Sequence, residues 1–151
     1  SIFFGGGTPS TASPKLIYSI INKINSVVSL EKNTEITMEI NPSTIDLDNI
    51  KSFYKSGVNR ISIGVQSFSD KNLKFLGRTH NAKDAIKAIN IVSNYFDNYS
   101  MDLIYDCCSD IYFQTKSILE NSGFEHYEIS NFASNKKYCV HNLNYWDYEK
   151  H

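Results

Sequence analysis

Long apolar runs are missing from this sequence, and with them any helix able to cross a bilayer, which takes about 20 consecutive apolar residues. Neither sign of charge is in excess. Fifteen Lys and Arg against sixteen Asp and Glu leave a formal net charge of -1, which offers no electrostatic capture of nucleic acid. Cysteine is scarce. Cys107 and Cys108 are adjacent and Cys139 is distant, so the three thiols make no disulfide framework and fit the reduced cysteines of a cytoplasmic protein. No charged, then apolar, then small-residue leader opens the chain, which argues against a secretory signal. Low-complexity segments are absent too, and no linker is expected before residue 106. What remains is globular: 41% hydrophobic and 21% charged among 151 residues, enough for one domain or part of a larger one.

Glycine is sparse at seven residues, yet three of the seven stand together near the start, in Ser1-Ile2-Phe3-Phe4-Gly5-Gly6-Gly7-Thr8-Pro9-Ser10. Ile2 to Phe4 read as a buried strand, and the glycines remove every Cβ from the turn after it. Pro9 has no N–H and stops the strand. Bare backbone lets a ligand approach and offers it N–H donors. A tight strand-to-helix turn needs the same residues, and this stretch by itself leaves both uses open. Beginning inside a strand without Met, the sequence reads as lacking an upstream part.

Strand and helix then alternate. Ser13 caps a helix with Pro14 at its first position, and Leu16, Ile17, Ile20, Ile21, Ile24, Val27 and Val28 form its apolar stripe. Glu35 to Ile40 is a strand halted by Asn41-Pro42. A helix over Leu47 to Ser56 buries Leu47, Ile50, Phe53 and Tyr54, with Gly57 beyond its end. Arg60 to Gln66 is the next strand. A short helix from Ser69 ends at Gly77, and Asn81 with Asp84 starts another that buries Ile86, Ile89, Val92 and Phe96. Ser100 to Tyr105 is a fourth strand. Units of this kind at a period of about thirty to thirty-five residues predict an α/β fold on a parallel sheet. From Asp106 the repeat breaks at Asp106-Cys107-Cys108-Ser109-Asp110. Thr115 to Asn121 reads as helix with Ile118 and Leu119 buried, Phe124 to Phe132 as a last strand, and Asn142 to Trp146 as an aromatic tail. Three regions result: 1–105, a junction with its helix over 106–123, and 124–151.

Four strands end on a distinctive residue or loop: Gly5 to Thr8, Glu39, Gln66 and Asp102. Carboxyl ends of parallel strands converge, and sites form there. Each residue has a plain structural use as a helix cap or loop anchor. Four in register on successive strands point to one small polar ligand.

FFGGGTPS, EITMEINP, GVNRISIGVQSF, LGRTH and MDLIY, in that order and spacing, resemble the radical SAM proteins of porphyrin metabolism. That family includes oxygen-independent coproporphyrinogen III oxidase and the related haem chaperones. Glu125 to Phe132 and His141-Asn142-Leu143-Asn144-Tyr145-Trp146 are similar to the chaperone branch. The resemblance covers nearly the whole chain apart from residues 106–117. It implies a (β/α) barrel, here partial, and S-adenosylmethionine as ligand. Gly6, Gly7 and Thr8 would meet the methionine amino group, Glu39 the amino group or ribose, and Arg78 the carboxylate, with Gln66 and Asp102 completing the pocket. It also implies haem or porphyrin as a partner, with His141 as the candidate iron ligand and haem-accepting proteins beyond it. Family members carry a [4Fe–4S] cluster on a C-x3-C-x2-C run before the glycine turn, and Cys107, Cys108 and Cys139 have neither that spacing nor that position. Where relatives continue the fourth strand with Gly-Leu-Pro-Gly, this chain has Asp106-Cys107-Cys108-Ser109 and omits a strand and helix. The expected first strand of the barrel is likewise absent. Three functions stay open: a haem-binding and transfer protein, an oxidase that decarboxylates propionate side chains, and a non-functional remnant of either.

Overall fold

Side-chain alternation in the central strands decides how this chain folds. The computed structural model describes residues 1–104, 109–128 and 130–146. Four strands, β1 (Ile2–Phe4), β2 (Ile36–Ile40), β3 (Arg60–Gln66) and β4 (Tyr99–Leu103), pair parallel in chain order. Between them run α1 (Pro14–Val28), α2 (Leu47–Lys55), the short α3 (Asp70–Phe75) and α4 (Ala82–Ser93). After α5 (Ser109–Asn121), β5 (Phe124–Glu128) and β6 (Asn131–Ser134) form a hairpin, and α6 (Val140–Trp146) follows. The sheet order is β1-β2-β3-β4-β6-β5, with β6 antiparallel to β4. Among the described residues, no helix is long and apolar enough to cross a membrane.

On one face, Met38, Ile61, Ile63, Val65, Met101 and Leu103 pack against Ile17 and Ile21 of α1, Ile50 and Phe53 of α2, and Ala85, Ala88 and Val92 of α4 in one core. Residues between them, Thr37, Glu39, Arg60, Ser62, Ser100 and Asp102, face the other way. That inner face is polar, and the start of α6 is tied to its N-terminal end through Glu35. Arg60 is fully buried there, its Nε 3.8 Å from Glu35 Oε2. Glu35 Oε1 accepts the N–H of Val140 at 2.9 Å and of His141 at 3.4 Å, which fixes where α6 begins.

Local signals hold where they are strongest. Ser13 Oγ accepts the Leu16 N–H ahead of Pro14, and Asn81 with Asp84 forms a reciprocal capping box. The burial expectations need correction. α1 is buried through Ile17 and Ile21, whereas Leu16, Ile20, Val27 and Val28 are exposed. Leu47, Tyr54, Ile86 and Ile118 are exposed too. Each helix presents a broad apolar stripe, but one neighbouring layer covers only part of it. The single late strand over 124–132 is in fact the β5–β6 hairpin. Its polar Glu128 and Asn131 flank the reversal, and β6 pairs with the edge of β4. The junction at Asp106-Cys107-Cys108 lies outside the described residues, and α5 starts earlier than the periodicity from Thr115 predicts.

Candidate functional site

The turn after β1 needs glycine for two different reasons. A Cβ at Gly5 would stand 2.8 Å from a Phe3 ring carbon and 3.3 Å from Glu39 Cδ, so close packing excludes a side chain. Gly6 and Gly7 have φ of 77° and 59°, and a Cβ on either would meet nothing within 4 Å. Backbone conformation demands glycine there, and the open side is left bare. The Gly6 N–H donates to Glu39 Oε2 at 3.1 Å, tying this turn to the end of β2.

At the end of β3 the ladder slips between Ile63 and Gln66, and Gln66 has φ of 65°. The Ser67 N–H donates to Val65 O at 2.8 Å, closing a γ-turn centred on Gln66. A non-glycine residue held in this region costs about 1–3 kcal/mol and persists only where its surroundings enforce it. Two contacts do so here. The Ile104 N–H donates to Gln66 O at 2.9 Å, and buried His80 places Nε2 3.0 Å from the same Val65 carbonyl. Gly64 leaves room for the Gln66 side chain, since a Cβ on it would lie 3.3 Å from Gln66 Nε2.

Asp102 points inward from β4, and Ser62 Oγ lies 2.9 Å from both of its carboxylate oxygens. Burial pushes its pKa up to about 6. The Ser62 hydrogen bond and Arg60 pull it down, while the charges of Glu39 and Glu128 push it up. Arg78 is exposed on the loop after α3, its N–H bonded to Leu73 O at 2.9 Å. Next to it, Thr79 Oγ1 and Ser43 Oγ lie 3.1 Å apart, linking this loop to the turn after β2.

These pieces meet. One cavity of about 230 Å³ is lined by Gly7, Thr8, Glu39, Gln66, Arg78 and Asp102, together with Pro9, Ile40, Asn41 and Gly64. Gly6 stays off its wall with its N–H held by Glu39. His141 lies elsewhere, on α6. Its ring stacks on Phe3 with centroids 4.5 Å apart and meets Tyr145 edge-on at 5.3 Å. Sequence reasoning missed Asn41, Gly64 and Ser62. For Gly64 and Ser62 the signal was the period-two alternation of β3, which puts Arg60, Ser62 and Gly64 on one face. Asn41 carried its own mark, an amide before Pro42 that accepts from the Ser43 N–H at 3.1 Å.

A parallel sheet whose strand ends gather a glycine turn, two acids, an amide and a guanidinium around one cavity is a partial (β/α) barrel with a cavity at the carboxyl ends of its strands. Residues 1–106 match the model of the Radical SAM superfamily, and the chain belongs to that superfamily. Heme chaperone HemW of Haemophilus influenzae is 31% identical over 195 residues, covering 97% of this chain and 51% of that protein. Radical S-adenosyl methionine domain-containing protein 1, mitochondrial, of Bos taurus is 30% identical over 199 residues, covering 97% and 45%. The chain thus spans about half the length of the curated relatives it matches. Those alignments run longer than its 151 residues, so these relatives carry residues inside the matched stretch that this chain does not. The solved coproporphyrinogen III oxidase (HemN) from Escherichia coli has the same fold, with a TM-score of 0.70 and 18% identity over 89% of this chain and 43% of that one.

The raised pKa of Asp102 has a sign that can be measured. The folded chain holds this proton more tightly than the unfolded chain. Asp102 therefore favours folding most below its ordinary pKa of 3.8, and that contribution is lost as pH rises through about 6. Urea unfolding from about pH 4 to pH 7 should show wild type losing up to about 3 kcal/mol relative to Asp102→Asn. A pH-independent difference between the two would contradict the desolvated carboxyl.

Proposed function

We propose that this chain carries the S-adenosylmethionine-binding face of a haem-chaperone-like protein of the Radical SAM superfamily. The observation that carries the proposal is the single cavity shared by Thr8, Glu39, Gln66, Arg78 and Asp102 beside the bare backbone of Gly7. Its donor set suits the ligand. An α-ammonium seeks acceptors, which Glu39, Asp102 and the Thr8 hydroxyl provide. An α-carboxylate seeks a guanidinium fork, which Arg78 provides. Ribose hydroxyls pair with Gln66 and the carboxylate oxygens that the ammonium leaves. When bound and reduced by one electron, S-adenosylmethionine supplies a 5′-deoxyadenosyl radical.

The residues present do not fit the [4Fe–4S] cluster that delivers such an electron. Cys139 is buried beside Glu35, at the opposite end of the strands from the glycine turn, and burial raises its thiol pKa. Cys107 and Cys108 are adjacent, which is not the spacing of a three-thiolate site, and both fall outside the described residues. The role proposed for this chain is therefore binding, without a radical step assigned to it.

Two features support haem as the second partner. The relatives above include a protein named as a heme chaperone. In residues 124–151, which we take as the start of a haem-chaperone-like region, the His141 ring is held in a fixed orientation between Phe3 and Tyr145. An imidazole so oriented suits axial ligation, and delivery to haem-accepting proteins is the function that follows.

Calorimetric titration with S-adenosylmethionine tests the first part. Arg78→Ala and Asp102→Ala should each lose about 1.5–3 kcal/mol, one charge-assisted hydrogen bond apiece. Unchanged affinity in both would reject the cavity as the site. Haem titration tests the second. His141→Ala should shift or abolish the Soret band, and a spectrum and affinity equal to the parent would remove His141 as the ligand.

A further inference from the structure

Of the polar side chains that line the cavity, Asn41 is the one with no ligand group matched to it. Its amide is held in one orientation. Asn41 follows β2 and caps the single 3-10 turn Pro42–Thr44. Its Oδ1 accepts the Ser43 N–H at 3.1 Å and the Ser43 hydroxyl at 3.0 Å. Its backbone carbonyl accepts the Thr44 N–H and the Thr44 hydroxyl, both at 3.0 Å. A backbone N–H only donates, so the end of the amide that meets Ser43 is the oxygen. The nitrogen is therefore the free end. Its two N–H groups have no hydrogen-bond partner among the described residues.

A chain of hydroxyls ties this amide to Arg78. Ser43 uses its one proton on Asn41 Oδ1, so at the 3.1 Å contact Thr79 Oγ1 donates to Ser43 Oγ. Thr79 follows Arg78 directly. Two donors on Oδ1 also polarise the amide and make its N–H groups stronger donors. Asn41 and Arg78 thus bring donors from two joined loops into a cavity that also holds two acids, Glu39 and Asp102.

Those acids suit a cation and repel a carboxylate, so an anionic ligand group needs donors on its own side. A carboxylate has about four acceptor sites, more than one guanidinium fork fills. The neighbouring cavity of about 390 Å³ shares Glu39 and Asp102 with this one but not Asn41 or Arg78. The two donors therefore mark the end of the site that takes the carboxylate.

We infer that Asn41 is a specificity-determining residue, giving an Nδ2 N–H to the ligand α-carboxylate alongside Arg78, so that the cavity selects ligands that keep this group. The inference rests on the S-adenosylmethionine reading and adds a contact to it.

Calorimetric titration of the full chain with S-adenosylmethionine and with its decarboxylated form tests this. Asn41→Asp keeps an oxygen for Ser43, and with it the turn, but puts an acceptor where the N–H donors stood. S-adenosylmethionine should then bind about tenfold or more weaker, and the decarboxylated form at least as tightly as to the parent. Negative charge acting only at a distance would strengthen both, since both ligands are cations. Asn41→Ser keeps an acceptor for the Ser43 N–H and removes the donor. It should weaken S-adenosylmethionine alone, and a folding defect in either variant leaves the other informative. Equal loss of both ligands, or parent affinity for S-adenosylmethionine in both variants, would overturn the inference. So would a loss of 5′-methylthioadenosine binding, which would move the amide's contact to the nucleoside. If the parent binds S-adenosylmethionine through Arg78 and Asn41→Asp changes nothing, this inference alone fails. If the parent does not bind it, the cavity reading fails and this contact falls with it.

Discussion

Everything in this fold depends on the side-chain alternation of three parallel strands held in register. Thr37 pairs with Arg60, Glu39 with Ser62, and Ser62 with Ser100. Polar residues therefore form layers across the sheet on one face while Met38, Ile61, Ile63 and Met101 line the other. The apolar layer recruits α1, α2 and α4, and their burial supplies the main driving force for folding. The polar layer is left to line the cavities. A one-residue slip of β3 would exchange the faces, burying Arg60 and Ser62 under helices, so register decides which groups line the cavities.

A polar sheet face must satisfy its own groups. Ser62 does much of this, lying within hydrogen-bond reach of both Asp102 oxygens and 3.3 Å from Ser100 Oγ. Arg60 is handled differently. Its guanidinium is enclosed and reaches Glu35 only at 3.8 Å, a length at which the attraction does not clearly exceed the cost of burying both charges. By holding Glu35 in place it presents one carboxylate oxygen to the N–H groups of Val140 and His141. The C-terminal segment is thus laid across the inner face, where Asn142 and Tyr145 wall a cavity.

Much of this was legible in the residues. The strand–helix repeat appears wherever a β-branched run is followed by a cap such as Ser13 or Asn81, because local chemistry and tertiary packing agree there. Glu39, Gln66 and Asp102 could be gathered because parallel strands bring their carboxyl ends together whatever the details of packing, whereas Arg78, on the loop after α3, came only from the family resemblance. Exposure was not legible. Val27 is 71% exposed although it continues the stripe of Ile17 and Ile21, since periodicity records which face is apolar and not what lies opposite it. The hairpin at Glu128 to Asn131 was hidden because a continuous strand and a tight reversal use the same residues until a pairing partner chooses between them. The γ-turn at Gln66 had no local signal at all. A glutamine at positive φ contradicts its own propensity, and the contacts of Ile104 and His80 account for it, with Gly64 leaving room for the side chain.

The central claim is that the glycine turn and the ends of β2, β3 and β4 form one binding site. The most direct measurement is a crystal structure of the chain soaked with S-adenosylhomocysteine, which keeps the amino-acid and ribose groups of the ligand and lacks the reactive sulfonium. The account predicts its carboxylate beside Arg78, its ammonium among Glu39, Asp102 and Thr8, and its ribose near Gln66. Ligand bound on the helical face, or a well-occupied ligand that leaves Arg78 and Asp102 untouched, would contradict it.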